Sequence, residues 1–162
     1  MMKFYSNSLP FTTFNIGLIV TDFLQLTKFR LAISVVFSSL AGYLLAVDKI
    51  ETNILLSLSI GGYAMVGASN AFNQLIEKNK DALMLRTQNR PLPGGRMTNN
   101  VAITIAMFLA VTGVIILNYI NYKTAIFGAL SIFLYTCVYT PLKSKTSLAV
   151  FVGAFPGAIP FM

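Results

Sequence analysis

The stretch Gly61-Gly62-Tyr63-Ala64-Met65-Val66-Gly67-Ala68-Ser69-Asn70-Ala71-Phe72-Asn73-Gln74-Leu75-Ile76-Glu77-Lys78-Asn79-Lys80-Asp81 decides how the rest of the chain is read. It opens like a membrane helix and closes on a row of oxygen ligands. Gly61, Ala64, Gly67, Ala68 and Ala71 are small residues that let helices approach closely in lipid, where association relies on packing and not on water exclusion. A central place in a helical bundle is therefore expected. Asn73, Glu77 and Asp81 follow at intervals of four, and since each such step turns a helix by about 40°, all three share one face. Two carboxylates and an amide suit Mg²⁺, which takes a few carboxylates together with waters and phosphate oxygens. Solvated charges at span ends and asparagines bonding between helices would produce the same residues. The segment that follows separates the two readings.

That segment is Arg86-Thr87-Gln88-Asn89-Arg90-Pro91-Leu92-Pro93-Gly94-Gly95-Arg96. A basic loop can simply fix membrane orientation, which accounts for the charge but not for two prolines and two glycines that shape the backbone around planar cationic forks. A carboxylate stripe beside such a loop forms a site for a metal-bound diphosphate.

Composition sets the surroundings. The 162 residues are 56% hydrophobic and 10% charged, with mean hydropathy +0.72, against about 25% charged in soluble domains. A soluble enzyme, a disulfide scaffold and a disordered tail are excluded. The runs between charges predict spans at about 31–47, 52–76, 99–120, 124–142 and 146–162, each near the roughly 20 residues a crossing needs. The expected architecture is one all-α integral membrane domain over 1–162, with four transmembrane helices plus the start of a fifth. Residues 1–30 read as an interfacial N-terminus without a cleavable signal, and 77–98 as a cytoplasmic loop. With the N-terminus inside, ten of the twelve Lys and Arg lie on the cytoplasmic face, leaving Lys49 and Lys123 outside. The net charge of +7 thus orients the bundle and does not point to nucleic acid. Cys137 is the single cysteine and histidine is absent, so a metal here must be held by oxygen, and no imidazole serves haem or proton transfer.

At these residues the chain resembles the UbiA superfamily of intramembrane prenyltransferases, whose first signature is Asn, three residues, an acid, three residues, Asp, here Asn73, Glu77 and Asp81. Within it the chain looks like the protohaem IX farnesyltransferase family, the haem O synthases. Thr27-Lys28-Phe29-Arg30-Leu31, the Arg86 to Arg96 loop, and Tyr139-Thr140-Pro141-Leu142-Lys143 followed by Gly153-Ala154-Phe155-Pro156-Gly157-Ala158-Ile159-Pro160 match it in order. The resemblance implies farnesyl transfer from farnesyl diphosphate to a vinyl group of haem b, giving haem O. By position, Asn73, Glu77 and Asp81 would hold Mg²⁺ and diphosphate, Arg86 and Arg90 would neutralise the leaving diphosphate, and Asn70, Lys78, Tyr139 and Lys143 would bind substrate. The implied setting is the lipid bilayer of a bacterial plasma (inner) membrane, with haem A synthase or oxidase assembly proteins downstream.

The chain departs from the pattern at Asn79, where the family usually has Asp, which would lower metal affinity. A second aspartate signature belongs to the superfamily's C-terminal half and does not occur before Met162. The resemblance therefore covers the N-terminal half, and the 162 residues alone are expected to be inactive. A UbiA-type enzyme for an aromatic or quinone precursor is disfavoured by the Arg86 to Arg96 loop and the Gly153 to Ala158 block. A non-catalytic transport subunit would carry polar groups along a path through the membrane, whereas the acids here cluster at one helix end.

Overall fold

A computed structural model describes residues 16–143 and 145–158, without the side chains of residues 155 and 156. Its elements are α1 (Ile16–Leu26), α2 (Phe29–Ala46), α3 (Thr52–Ala82), α4 (Asn99–Ile120), α5 (Tyr122–Leu142) and α6 (Ala149–Ala158), with no strand among the described residues. Helices α2 to α5 are each long and apolar enough to cross a membrane, and α6 begins the next element, as the charge-free runs predict. Their outer faces carry exposed Phe37, Leu45, Ile60, Phe108, Ile115 and Phe133, which suits lipid and not water. The 11 described residues of α1 reach about 16 Å, less than the hydrocarbon core, and the first 15 residues of the expected interfacial N-terminus lie outside the described residues.

Helix α3 is the axis of the bundle, in contact with α1, α2, α4 and α5. Its closest partner is α4, and small residues explain why the two can meet. A Cβ on Gly61 would lie 2.9 Å from Leu117 Cδ2, and one on Gly113 of α4 would lie 2.7 Å from Met65 Sδ, so neither position admits a larger side chain without movement.

The boundaries depart from the sequence expectation most at the end of α3. The loop expected from residue 77 begins at Leu83, because α3 continues through Glu77-Lys78-Asn79-Lys80-Asp81-Ala82. At 31 residues it is about 46 Å long, against a hydrocarbon core of about 30 Å, so several turns are left to stand at the membrane edge. Lys, Glu and Ala favour helix once the lipid constraint ends. The last expected span starts at Ala149 instead of 146, and residues 159–162 lie outside the described residues.

The connection from α3 to α4 is a chain of turns pinned at three points. Leu92 is fully buried among Leu26, Ala71, Ala102 and Ala106. Thr87 donates its hydroxyl to the Asp81 carbonyl at 2.9 Å, and Arg96 pairs with Asp22 of α1 at 2.9 Å. Gly95 has φ +71°, and a Cβ on Gly94 would stand 2.9 Å from the Arg90 carbonyl, so both glycines are required by the backbone path.

Helix α5 widens to a π-helix over Leu134–Tyr139. Pro141 lacks an amide hydrogen and its ring crowds the carbonyl four residues earlier, which favours a wider turn ahead of it. The Thr140 hydroxyl bonds the Tyr135 carbonyl, five residues back, at 2.7 Å.

Candidate functional site

Asn73, Glu77 and Asp81 all lie buried on one face of α3, at 1%, 8% and 5% exposure, and each meets a polar partner from a later segment. Lys143, just past α5, places Nζ 2.6 Å from Glu77 Oε2. Arg90 of the loop places a guanidinium nitrogen 2.6 Å from Asp81 Oδ2. Thr140 Oγ1 lies 3.0 Å from Asn73 Oδ1. A threonine hydroxyl has one proton, and the Tyr135 carbonyl, at 2.7 Å, competes for it with Asn73 Oδ1.

Tyr139 stacks on Tyr135 with centroids 5.3 Å apart, and Lys143 Nζ sits 5.9 Å from the Tyr139 ring centroid. The Tyr135 ring also lines a cavity of about 220 Å³ whose walls include Leu31, Met65, Ser69, Asn70, Ser131 and Gly153. The polar cluster thus adjoins a largely apolar chamber between the helices, with two aromatic faces at the junction. Gly153 makes this possible, since a Cβ there would approach the Tyr139 ring to 2.8 Å.

The remaining candidates sit elsewhere. Lys78 bonds Asn99 Oδ1 at 2.9 Å, at the start of α4. Arg86 is exposed in the loop. Asn70 borders the cavity, but its amide donates to the Thr27 carbonyl at 3.1 Å, at the corner between α1 and α2. Sequence reasoning missed Thr140, hidden inside a block read for its tyrosine and lysine, and Lys28. Lys28 has φ 50° and ψ 57°, the left-handed region, alone among the described non-glycine residues. Its pKa is lowered, first by burial and then by the charges of Arg90 and Lys143, against which Glu77 and Asp81 act. It therefore belongs to the same cluster, which holds three cations, Lys28, Arg90 and Lys143, against two carboxylates.

The donor chemistry fits a divalent cation shared with a ligand, and not a closed protein cage. Among the described residues no group of three His, Cys, Asp or Glu converges, and Glu77 and Asp81 each have one oxygen on a cation. Such a pair needs phosphate oxygens or water to complete an octahedral shell.

Residues 35–162 match the sequence model of the UbiA prenyltransferase family. The chain is 67% identical over 147 residues to protoheme IX farnesyltransferase of Flavobacterium psychrophilum, covering 89% of this chain and 49% of that protein. It is 65% identical over 144 residues to the protein of that name from Christiangramia forsetii, covering 89% and 48%. Human mitochondrial protoheme IX farnesyltransferase is 40% identical over 137 residues, covering 84% and 31%. The chain spans about half the length of the bacterial relatives it matches. No solved structure matches it.

Proposed function

Because the chain belongs to the UbiA prenyltransferase family of multi-pass integral membrane proteins, we propose that its α3 stripe and Arg90 loop bind the diphosphate of farnesyl diphosphate. The full-length protein then transfers the farnesyl group to a vinyl carbon of haem b, giving haem O. The relatives named protoheme IX farnesyltransferase support the choice of substrates. The observation that carries the reading is the pair of carboxylate–cation contacts, Glu77 with Lys143 and Asp81 with Arg90, beside an apolar cavity. By the positive-inside rule this end of the bundle faces the cytoplasm of a bacterial plasma membrane.

UbiA-family prenyltransferases generally use a divalent metal to bind diphosphate, and Mg²⁺ is the ion the oxygen set of Asn73, Glu77 and Asp81 suits; bound there with the substrate, it would supply charge to stabilise the departing diphosphate. Lys143 and Arg90, held at the mouth of the site by Glu77 and Asp81, are within reach of phosphate oxygens of a diphosphate bound there. Arg90 offers a planar fork and Lys143 a point charge. The farnesyl C1–O bond breaks with both electrons leaving on the diphosphate oxygen. The cavity holds the apolar chain, and the faces of Tyr135 and Tyr139 shelter the allylic cation until the vinyl π electrons form the new C–C bond. Water adds its oxygen to the cation left on the haem side chain, giving a hydroxyl, and the proton it loses goes to the released diphosphate. No step requires an imidazole.

The test is Asp81→Ala in the full-length protein. Farnesyl transfer to haem b should fall at least a hundredfold, in keeping with loss of a charge-stabilising group, while circular dichroism remains helical. Haem O formation at the wild-type rate would refute the assignment.

A further inference from the structure

The corner between α1 and α2 is held with unusual care for a bend of two residues. Gln74 Nε2, fully buried on α3, donates to the carbonyls of Gln25 and Leu26 at 2.8 Å each. Asn70 Nδ2 donates to the next carbonyl, Thr27, at 3.1 Å. The Thr27 hydroxyl, itself wholly buried, lies 3.0 Å from the Tyr63 hydroxyl. Four polar contacts from α3 thus fix the carbonyl end of α1. What they fix is a lysine in the left-handed region, where L side chains sit under strain. A bend alone would be served better by glycine, so the side chain at this position needs its own explanation.

The surroundings supply one. Arg90 and Lys143 each touch a carboxylate, whereas Lys28 Nζ makes no hydrogen bond or ion pair with a described residue, although it is half-buried among those four charges. A desolvated ammonium with no counter-ion among the described residues, beside two carboxylates already engaged by other cations, is placed to take the anion of a ligand. Burial lowers its pKa, and a bound anion opposes that effect.

We propose that Lys28 is a further substrate-binding residue, whose ammonium is held by the α1–α2 corner to take an oxygen of the diphosphate. This rests on the reading of the site given above. Asn70 and Gln74 are then positioning residues, which act on the ligand through the corner they clamp.

Lys28→Gly is the decisive variant, since it keeps or relaxes the left-handed backbone while removing the side chain with its ammonium. Binding of inorganic diphosphate with Mg²⁺ to the detergent-solubilised full-length protein is measured by calorimetry, beside thermal unfolding. The expected result is affinity weakened about 10- to 100-fold with midpoint unchanged or raised, and Lys28→Arg within several-fold of wild type. Wild-type affinity in Lys28→Gly, when the unaltered protein binds diphosphate, would overturn the role of Lys28 and leave the wider reading standing. Failure of the unaltered protein to bind diphosphate at all would overturn both.

Discussion

Replacing Leu92 with alanine tests whether the loop is a rigid part of the site or a tether for its charges. Leu92 is fully buried against Leu26, Ala71, Ala102 and Ala106. Deleting a buried leucine costs about 2–5 kcal/mol, least where neighbours can collapse into the space. Three of these four are alanines, whose short side chains cannot lean in, while Phe72, Leu75, Met97 and Ile105 pack against the same cluster and can fill part of the space, so the middle of that range applies, about 3 kcal/mol. If this cost falls on docking of the loop and not on the bundle, local opening rises by roughly two powers of ten. The reporters are the amides of Gly94, bonded to the Arg90 carbonyl at 2.9 Å, and of Met97, bonded to the Pro91 carbonyl at 3.0 Å. Hydrogen exchange at both should speed up about a hundredfold or more in Leu92→Ala, with mid-α4 amides unchanged. Diphosphate affinity should fall in parallel although no charge has been altered, because Arg90 rides on the loop. Leu92→Met, of similar volume, should stay close to wild type. Unchanged protection at Gly94 and Met97 would refute the claim that Leu92 anchors the loop.

Two further outcomes follow from the same geometry. Arg90→Lys should keep the pairing with Asp81 in charge but weaken diphosphate binding roughly tenfold, because a point charge replaces a planar fork; isothermal titration checks this, and equal affinity would show that only charge matters at 90. Gly153→Ala should push Tyr139 from its stack, since the new Cβ would stand 2.8 Å from a rigid ring. It should cost about 1–3 kcal/mol in thermal unfolding and slow turnover, and an unaltered midpoint would mean that α6 shifts freely away from α5.

The spans were legible because lipid imposes a pattern that needs no partner to read: a run free of charge either reaches about 20 residues or does not. That rule failed where lipid ends. Glu77 to Ala82 looked like loop for being charged, yet outside the bilayer a charged segment of good helix formers simply continues the helix, and this continuation carries Asp81 to its place. The i, i+4 spacing of Asn73, Glu77 and Asp81 is local and survived into the fold. The residues alone do not tell the three arginines of the loop apart, and the resemblance, which pairs Arg86 with Arg90, does not give the direction in which a closed loop faces. Arg90 meets Asp81, Arg96 meets Asp22 on α1, and Arg86 stays exposed.

Lys28 shows the limit most clearly. In the sequence it stands in the Thr27 to Leu31 block as one more positive charge flanking a span, with no local pattern that assigns it a role. Its backbone is set by Asn70 and Gln74, more than 40 residues away, whose buried amides hold the carbonyls of the bend. Asn70 reads as glue between helices or as a substrate ligand and Gln74 carries no reading of its own, and geometry alone decides that their hydrogens go to the bend. The division of labour along α3 is therefore angular: the Asn70 and Gln74 amides clamp the corner that bears one cation, while Asn73, Glu77 and Asp81 face the other two through Thr140, Lys143 and Arg90. A helix that positions cations on both sides of its carboxylate row makes those cations answer to one another, so loosening the corner should be felt at Arg90 as surely as loosening the loop.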